Sequence, residues 1–312
     1  MGKYKLINNV LGWIVFAIAS TVYLMTMEPT ASFWDCGEFI SSAYKLEVGH
    51  PPGAPFFMLT ANLFTQLASD PSTVAKMVNT MSALFSGLTI LFLFWSITHL
   101  ARKIMVKDGE EASLGQMITV MGSGLVGALA YTFSDTFWFS AVEGEVYAYS
   151  SLFTAVVFWL ILKWEAVADK PHADRWIVLI AYLMGLSIGV HLLNLLCIPA
   201  IVLVYYYKKF PNPTMKGTLV ALLASFAIVA LMMYGVVQGL VEVCGYFELL
   251  FVNTFGMPYN SGVYAFVIIL AASLIWAIWE TMQDEIHPVR MKISFILSIV
   301  LLGIPFIGSG YV

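Results

Sequence analysis

Apolar residues run through this chain in stretches long enough to cross a bilayer, separated by short polar breaks. A helix spanning the roughly 30 Å hydrocarbon core needs about 20 predominantly apolar residues. Runs at about 6–25, 74–100, 115–133, 147–162, 176–190, 192–207, 218–237, 263–278 and 293–307 meet or approach that length. They predict an all-α polytopic membrane protein, a single transmembrane domain over 1–312 with about nine helices. The first run follows Lys3 and Lys5, as the apolar part of a signal peptide would. It is long, and no small-residue cleavage site follows it, so it reads as a retained span. The runs at 176–190 and 192–207 meet at Val190-His191-Leu192 and predict a tight turn. The polar breaks leave three substantial loops on one side, at about 26–73, 134–146 and 238–262.

Charge placement orients the bundle. With the N-terminus in the cytoplasm, 13 of the 15 Lys and Arg residues fall on the inner side, and only Lys45 and Lys76 lie outside. The excess of cytoplasmic Lys and Arg is the usual determinant of orientation, so the three substantial loops are outer loops. Composition agrees with the membrane reading: 60% of the 312 residues are hydrophobic and 11% charged, with a mean hydropathy of +0.85. A soluble domain is about 25% charged, and a disordered chain is poorer still in apolar residues. No basic stripe supports nucleic-acid binding. Cys36, Cys197 and Cys244 show no metal-ligand spacing. Cys36 and Cys244 both fall outside in this topology and are candidates for a bridge, although scattered thiols are more often unpaired. The chain ends at Gly308-Ser309-Gly310-Tyr311-Val312, directly after an apolar run, which fits the N-terminal part of a longer polypeptide.

Candidate chemistry collects in the outer loops. Phe33-Trp34-Asp35-Cys36-Gly37-Glu38-Phe39 sets two carboxylates three residues apart between aromatics. On a helix that spacing puts Asp35 and Glu38 on one face, and a partly desolvated carboxylate can act as a general base on a hydroxyl. The plainer alternative is a hydrated loop acid or a helix cap. Gly49-His50-Pro51-Pro52-Gly53-Ala54-Pro55 is too rich in Pro and Gly for a helix, and predicts a stiff turn leading back to the membrane. His50, Lys45 and Lys76 are the outward groups that suit a lipid phosphate, against snorkelling for the two lysines. In the second loop Phe137-Trp138-Phe139 reads as an interfacial belt. Glu143-Gly144-Glu145 directly precedes a span, where acids are costly unless they face a cavity. Asp35, Glu38, Glu143 and Glu145 together predict an acidic outer pocket lined by aromatics such as Trp34 and Tyr147. That pocket suits sugar hydroxyls and ring faces, or a divalent cation. His191 and Asn194 either line the same pocket or bond within the bundle. Glu242, Glu248, Asn253 and Tyr259 in the third loop have no diagnostic spacing. The rival readings are a transporter or lipid flippase, using the acids as ion sites, and a non-catalytic envelope scaffold.

The combination of Trp34-Asp35-Cys36-Gly37-Glu38, Gly49-His50-Pro51-Pro52-Gly53 and Ala141-Val142-Glu143-Gly144-Glu145-Val146-Tyr147 resembles a family of large multi-span proteins abundant in Bacteroidetes, long described as a domain of unknown function. That family has a eukaryotic relative among the protein O-mannosyltransferases and is similar to the GT-C glycosyltransferases. The resemblance covers about the first 200 residues. It implies a GT-C-like membrane bundle in a bacterial inner membrane, with the active site on the periplasmic face. Asp35 is then the catalytic base and Glu38 its partner. His50 and Lys45 attend the departing phosphate, and Trp34, Glu143, Glu145, Tyr147 and His191 line the sugar site. The implied donor is a polyprenyl-phosphate hexose, with mannose expected, and the acceptor a Ser or Thr hydroxyl of a protein. Configuration is inverted, and neither a cofactor nor an essential metal is expected. The implied partners are membrane lipid, an acceptor protein and a larger envelope complex.

Overall fold

The computed structural model describes residues 2–107, 109–170, 173 and 175–282. The described residues form helices and turns, with no strand among them. In chain order the helices are α1 (Gly2–Thr26), α2 (Cys36–Lys45), α3 (Pro55–Thr65), α4 (Val74–Met105), α5 (Leu114–Thr132), α6 (Asp135–Ala141), α7 (Val146–Glu165), α8 (Arg175–Ile188), α9 (Ile198–Lys209), α10 (Met215–Ala230), α11 (Gly239–Leu249) and α12 (Ser261–Met282). Six stretches are long and apolar enough to cross a membrane: Gly2–Thr26, Pro71–Met105, Leu114–Thr132, Val146–Glu165, Leu192–Lys209 and Met215–Thr254. This is the all-α polytopic membrane architecture that the apolar runs predict.

The expectation of about nine spans exceeds the six that the described residues supply. The run at 176–190 forms α8, which has only 14 residues. At 1.5 Å per residue that is roughly 21 Å, short of the hydrocarbon thickness. It stops because His191 takes an extended backbone (φ −164°, ψ 148°). The run at 293–307 lies outside the described residues. The segment at 238–262, expected as an outer loop, is helical as far as Thr254, within one stretch of 40 residues that includes π-helical turns at Leu231–Gln238 and Leu250–Thr254. Its polar residues Gln238, Glu242 and Glu248 are too sparse to stop a helix, and Gly239 and Gly245 stand singly. The break comes at Gly256-Met257-Pro258, where Gly256 is left-handed (φ 64°) and Pro258 cannot continue a helix.

By packing, the chain divides into two units. The first runs to Gly49 and resumes over Ala54–Ala166; the second takes the short turn His50–Gly53 and begins again at Val167. In the first unit α4 is the central helix, packed against α1, α5 and α7. Val15, Ala19 and Tyr23 of α1, Ala83, Ile90 and Phe94 of α4, and Met121 and Ala128 of α5 form its core with Phe137 and Ala141 of α6. Small residues let membrane helices approach closely. At Gly87 of α4 an added Cβ would stand 2.0 Å from Ser20 Oγ of α1, so any larger residue there would have to displace the Ser20 side chain. Ser113 caps α5 by accepting from the Gln116 amide, while the Gln116 side chain accepts from the Ser113 amide.

In the second unit α9 packs on α10 and α11 on α12. Leu219, Leu223, Phe226, Ile268 and Ile275 remain exposed on these helices. Lipid tails solvate such side chains as readily as a protein core would. Glu248 joins the α11–α12 hairpin. Its carboxylate accepts from the backbone amides of Asn260 (2.6 Å), Gly262 (2.9 Å) and Val263 (3.2 Å), satisfying the amides at the start of α12.

Candidate active site

The first outer loop of the sequence reading is in fact a small helical layer. The link after α1 is fixed from α4: fully buried Asn79 donates through Nδ2 to the carbonyls of Glu28 (2.7 Å) and Thr30 (3.0 Å). The Glu28 amide in turn donates to the Val142 carbonyl at 3.0 Å, tying this link to the one between α6 and α7. Trp138 Nε1 donates to Thr26 Oγ1 at 2.9 Å, so this part of the expected aromatic belt serves as a brace between α6 and the end of α1.

Asp35 occupies the N-cap position of α2 but makes no side-chain capping bond there. The preceding Trp34 is held in the left-handed region (φ 60°) and is 90% exposed. An aromatic residue in that region is uncommon, and such residues gather at functional sites. Glu38 follows in the first turn of α2. A carboxylate oxygen of Asp35 and one of Glu38 lie within 4.8 Å of one another. The predicted pairing of these acids is therefore present. Two carboxylates at that separation can provide two ligands for a hard cation. On the inward face of α2, Cys36, Phe39, Ile40 and Ala43 are buried, with the Phe39 ring edge-on to Phe57 of α3 at 5.4 Å.

Glu143 and Glu145 are 5% and 8% exposed, so these acids are part of the interior. The Glu145 amide donates to the Glu143 carbonyl at 3.0 Å, closing a tight turn around Gly144. A Cβ on Gly144 would lie 2.9 Å from Asn79 Oδ1, 3.0 Å from Ile40 Cγ1 and 3.1 Å from Val78 Cγ1, which explains the glycine between two acids. The Glu143 carboxylate accepts from the Ser32 hydroxyl and the Cys36 thiol. Burial raises its pKa above the usual carboxylate value, and the nearby Glu28 adds to the rise, against those two hydrogen bonds. Cys36 is pushed up to about 12, chiefly by burial and then by the carboxylates of Glu143 and Glu145. Tyr147, 40% exposed on the first turn of α7, lies within electrostatic reach of Glu145, Asp35 and Glu143. The first unit thus gathers Asp35, Glu38, Glu143, Glu145 and Tyr147 at one end of the bundle, with Trp34 beside Asp35 in the chain.

The remaining candidates are Lys45, His50 and His191. Lys45 ends α2, at the opposite end from Asp35, and sits 3.9 Å from Glu47 with both side chains well exposed. Its ammonium already has a neighbouring counter-charge. His50 is exposed at the start of the turn His50–Gly53, which groups with the second unit and contains a cis Pro51–Pro52 peptide. His191, also in the second unit, caps the 3₁₀ turn Leu192–Cys197: its Nδ1 accepts from the Leu193 amide at 3.1 Å. Burial lowers its pKa, so the neutral imidazole that can accept this bond is favoured. Neighbouring Asn194 is fully buried and donates to Ser187 Oγ at 2.9 Å, which is the within-bundle alternative for that pair. No disulfide joins Cys36, Cys197 or Cys244, so the candidate bridge between Cys36 and Cys244 is not formed. Sequence reasoning missed Asn79 and Ser32. Asn79 lies inside an apolar run, where a buried amide is itself a signal of a structural bond, whereas nothing in the sequence marks Ser32.

The sequence model of one protein family, described as the Protein O-mannosyl-transferase TMEM260 N-terminal domain, matches residues 35–214. The chain belongs to that family. The TMEM260-type match begins at Asp35 itself and takes in Glu38, His50, Glu143, Glu145, Tyr147 and His191. Among individual relatives, the mouse protein named Protein O-mannosyl-transferase TMEM260 is 28% identical over 174 residues, which are 56% of this chain and 22% of the mouse protein. A Dictyostelium discoideum protein of the same name is 25% identical over 187 residues, 58% of this chain and 21% of that protein. The chain therefore matches about a fifth of the length of these TMEM260 relatives.

Proposed function

We propose that this domain carries the catalytic end of a membrane protein O-mannosyltransferase of the GT-C kind. It moves a hexose, mannose by the names of its relatives, from a polyprenyl phosphate to a Ser or Thr hydroxyl of a protein. The observation that carries the reading is the pair Asp35 and Glu38, held at the N-terminus of α2 inside the family-matched segment, with the Asp35 side chain uncommitted to capping. In the reaction the Asp35 carboxylate takes the proton of the acceptor hydroxyl. The hydroxyl oxygen forms a bond to the anomeric carbon as the bond from that carbon to the phosphate oxygen breaks. The electron pair leaves with the lipid phosphate. A single displacement inverts the anomeric configuration.

Glu38 orients Asp35 or the acceptor. Trp34 offers an exposed ring for a sugar face, and Tyr147 with Glu145 offers hydroxyl partners. Glu143, committed to Ser32 and Cys36, acts as a positioning residue, and His191 as a helix cap. His50 is the group read as attending the leaving phosphate, with Lys45 in a lesser part because of Glu47. The setting is a bacterial inner membrane with the N-terminus inside and Asp35 on the periplasmic face, within a larger envelope complex. The support for the orientation is the placement of lysine and arginine.

The test is transfer of radiolabelled mannose from a polyprenyl phosphate-mannose to envelope proteins by the full-length protein. Asp35→Asn should lower transfer by about 10²- to 10⁴-fold, the range for loss of a general base, with expression unchanged. Full activity in that variant overturns the assignment of the base. No transfer by the wild-type protein from any lipid-linked hexose overturns the function.

A further inference from the structure

A second feature of the first unit lies at the far end of the bundle from Asp35. Between α1, α4 and α7 is a cavity of about 310 Å³ lined by Lys5, Arg102 and Lys163, with His99, Trp95 and Trp159 among its walls. It is roughly 35 Å along α4 from Asn79, at 1.5 Å per residue, so it does not belong to the acidic cluster. Among the described residues no carboxylate pairs with Lys5, Arg102 or Lys163. Glu165, which acts on the charge of His99 in the cavity wall, is bound to Lys103. Arg102 and Lys163 are half-buried and lie over the rings of Tyr4 (4.7 Å) and Trp159 (4.9 Å). Lys5 is close enough to act on the charge of Lys163. Two polar atoms of lining residues, Arg102 Nε and Asn8 Oδ1, are hidden from solvent without a hydrogen-bond partner.

Three cations lining one cavity, Arg102 and Lys163 half-buried and Lys5 exposed at its edge, with no carboxylate paired to them among the described residues, are costly unless an anion joins them. Unsatisfied buried polar atoms beside the same cavity ask for a ligand that both accepts and donates hydrogen bonds. The cavity is larger than a single phosphate group needs and falls at the small end of ligand pockets. Leu6, Leu100 and Ile104 stand next to the lining residues on the same helices and are exposed, as lipid-facing side chains are. Basic pockets between helix ends at a membrane surface suit anionic headgroups.

We infer that this cavity is a binding site for the phosphate of an anionic membrane-lipid headgroup, held by Arg102, Lys163 and Lys5 and separate from the proposed sugar-transfer site. The headgroup phosphate sits among the three cations, its remaining hydroxyls reach Asn8, and the acyl chains lie along α1 and α4. Bound lipid would fasten α1, α4 and α7 together at this end.

The experiment reconstitutes the full-length protein in phosphatidylcholine nanodiscs, with and without phosphatidylglycerol, and in phosphatidylcholine with inorganic phosphate. Thermal unfolding and native mass spectrometry are the readouts. Phosphatidylglycerol should raise the wild-type midpoint by roughly 3–8 °C and leave a retained lipid on the protein. Inorganic phosphate should not. The double variant Arg102→Gln with Lys163→Gln should lose the shift, while being no less stable than wild type in phosphatidylcholine, because like charges have been removed. Lys3→Gln, at the same end but outside the cavity, should keep it. Should the double variant not fold, Lys5→Gln on an exposed side chain should weaken lipid retention several-fold. An equal shift in the cavity variants, or none in the wild type, overturns the site. A shift with inorganic phosphate alone keeps the anion site and overturns the lipid as its occupant. Because neither readout is mannose transfer, failure here leaves the proposed enzyme untouched, and the converse also holds.

Discussion

Glu143 shows how one buried side chain ties the site's chemistry to its architecture. It accepts from Ser32 and Cys36 and so holds the link after α1 and the start of α2 against the α6–α7 turn. Burial raises its pKa, which fixes the sign of its pH dependence. A carboxyl whose folded pKa is raised stabilises the fold when protonated. That contribution is complete below the unfolded value and is lost as pH rises through the folded value. Glu143→Gln keeps the shape and removes the titration. The variant should therefore gain stability relative to wild type as pH climbs above the ordinary glutamate range, read as unfolding midpoints in detergent from about pH 4 to 8. Parallel profiles would show that folding does not raise the Glu143 pKa. Its neighbour gives a simpler check. With a pKa of about 12 and 1% exposure, Cys36 should resist maleimide at pH 8 in the native protein and react on unfolding. Only roughly one thiol in ten thousand is ionised there. Rapid native labelling of Cys36 would contradict its burial against Glu143.

At the scale of elements, the site is made by short helices pinned to a long one. α2 and α3 are too short to cross a bilayer, and they fill the link between α1 and α4 that the sequence presents as a loop. They were hard to foresee because Gly49-His50-Pro51-Pro52-Gly53 separates them with strong breakers, and ten-residue helices carry little periodic signal of their own. The α11–α12 hairpin shows the opposite error. Glu242 and Glu248 read as outer-loop acids, yet both lie in a helix, and Glu248 reaches forward to the amides of Asn260, Gly262 and Val263. Glu248→Ala should cost about 1–2 kcal/mol, in the range of a lost helix cap, and speed hydrogen exchange at the Gly262 and Val263 amides. Unchanged exchange at those amides would remove the capping role.

For the whole molecule the question is which end faces which compartment. The acidic cluster and the basic cavity lie at opposite ends of α4, one end carrying Asp35, Glu38, Glu143 and Glu145 and the other Lys5, Arg102 and Lys163. That polarity matches the skew of lysine and arginine and leads to a topology test. A cysteine at Trp34, which is 90% exposed, should react with an impermeant reagent added outside intact cells. A cysteine at Lys107, in the basic segment after α4, should react only after the membrane is opened. The reverse pattern would turn the molecule over and move the proposed chemistry to the cytoplasmic face.

Much of this protein was determined by the sequence alone. Lipid selects helices from apolar runs segment by segment, so the membrane architecture, the long helices α1, α4, α5 and α7, and the Asp35–Glu38 pair were all readable from local pattern. The family resemblance was legible in the same motifs. What tertiary structure decided was which polar groups are interior. Nothing local in the chain tells that Asn79 holds Glu28 and Thr30, that Ser32 and Cys36 serve Glu143, or that Gly144 must be bare to rest on α4 and α2. Nor does it tell that Lys5, Arg102 and Lys163, read only as inner-side charges, converge on one cavity. Those contacts join residues tens to more than a hundred positions apart. Helix packing, a property of the assembled bundle, sets them.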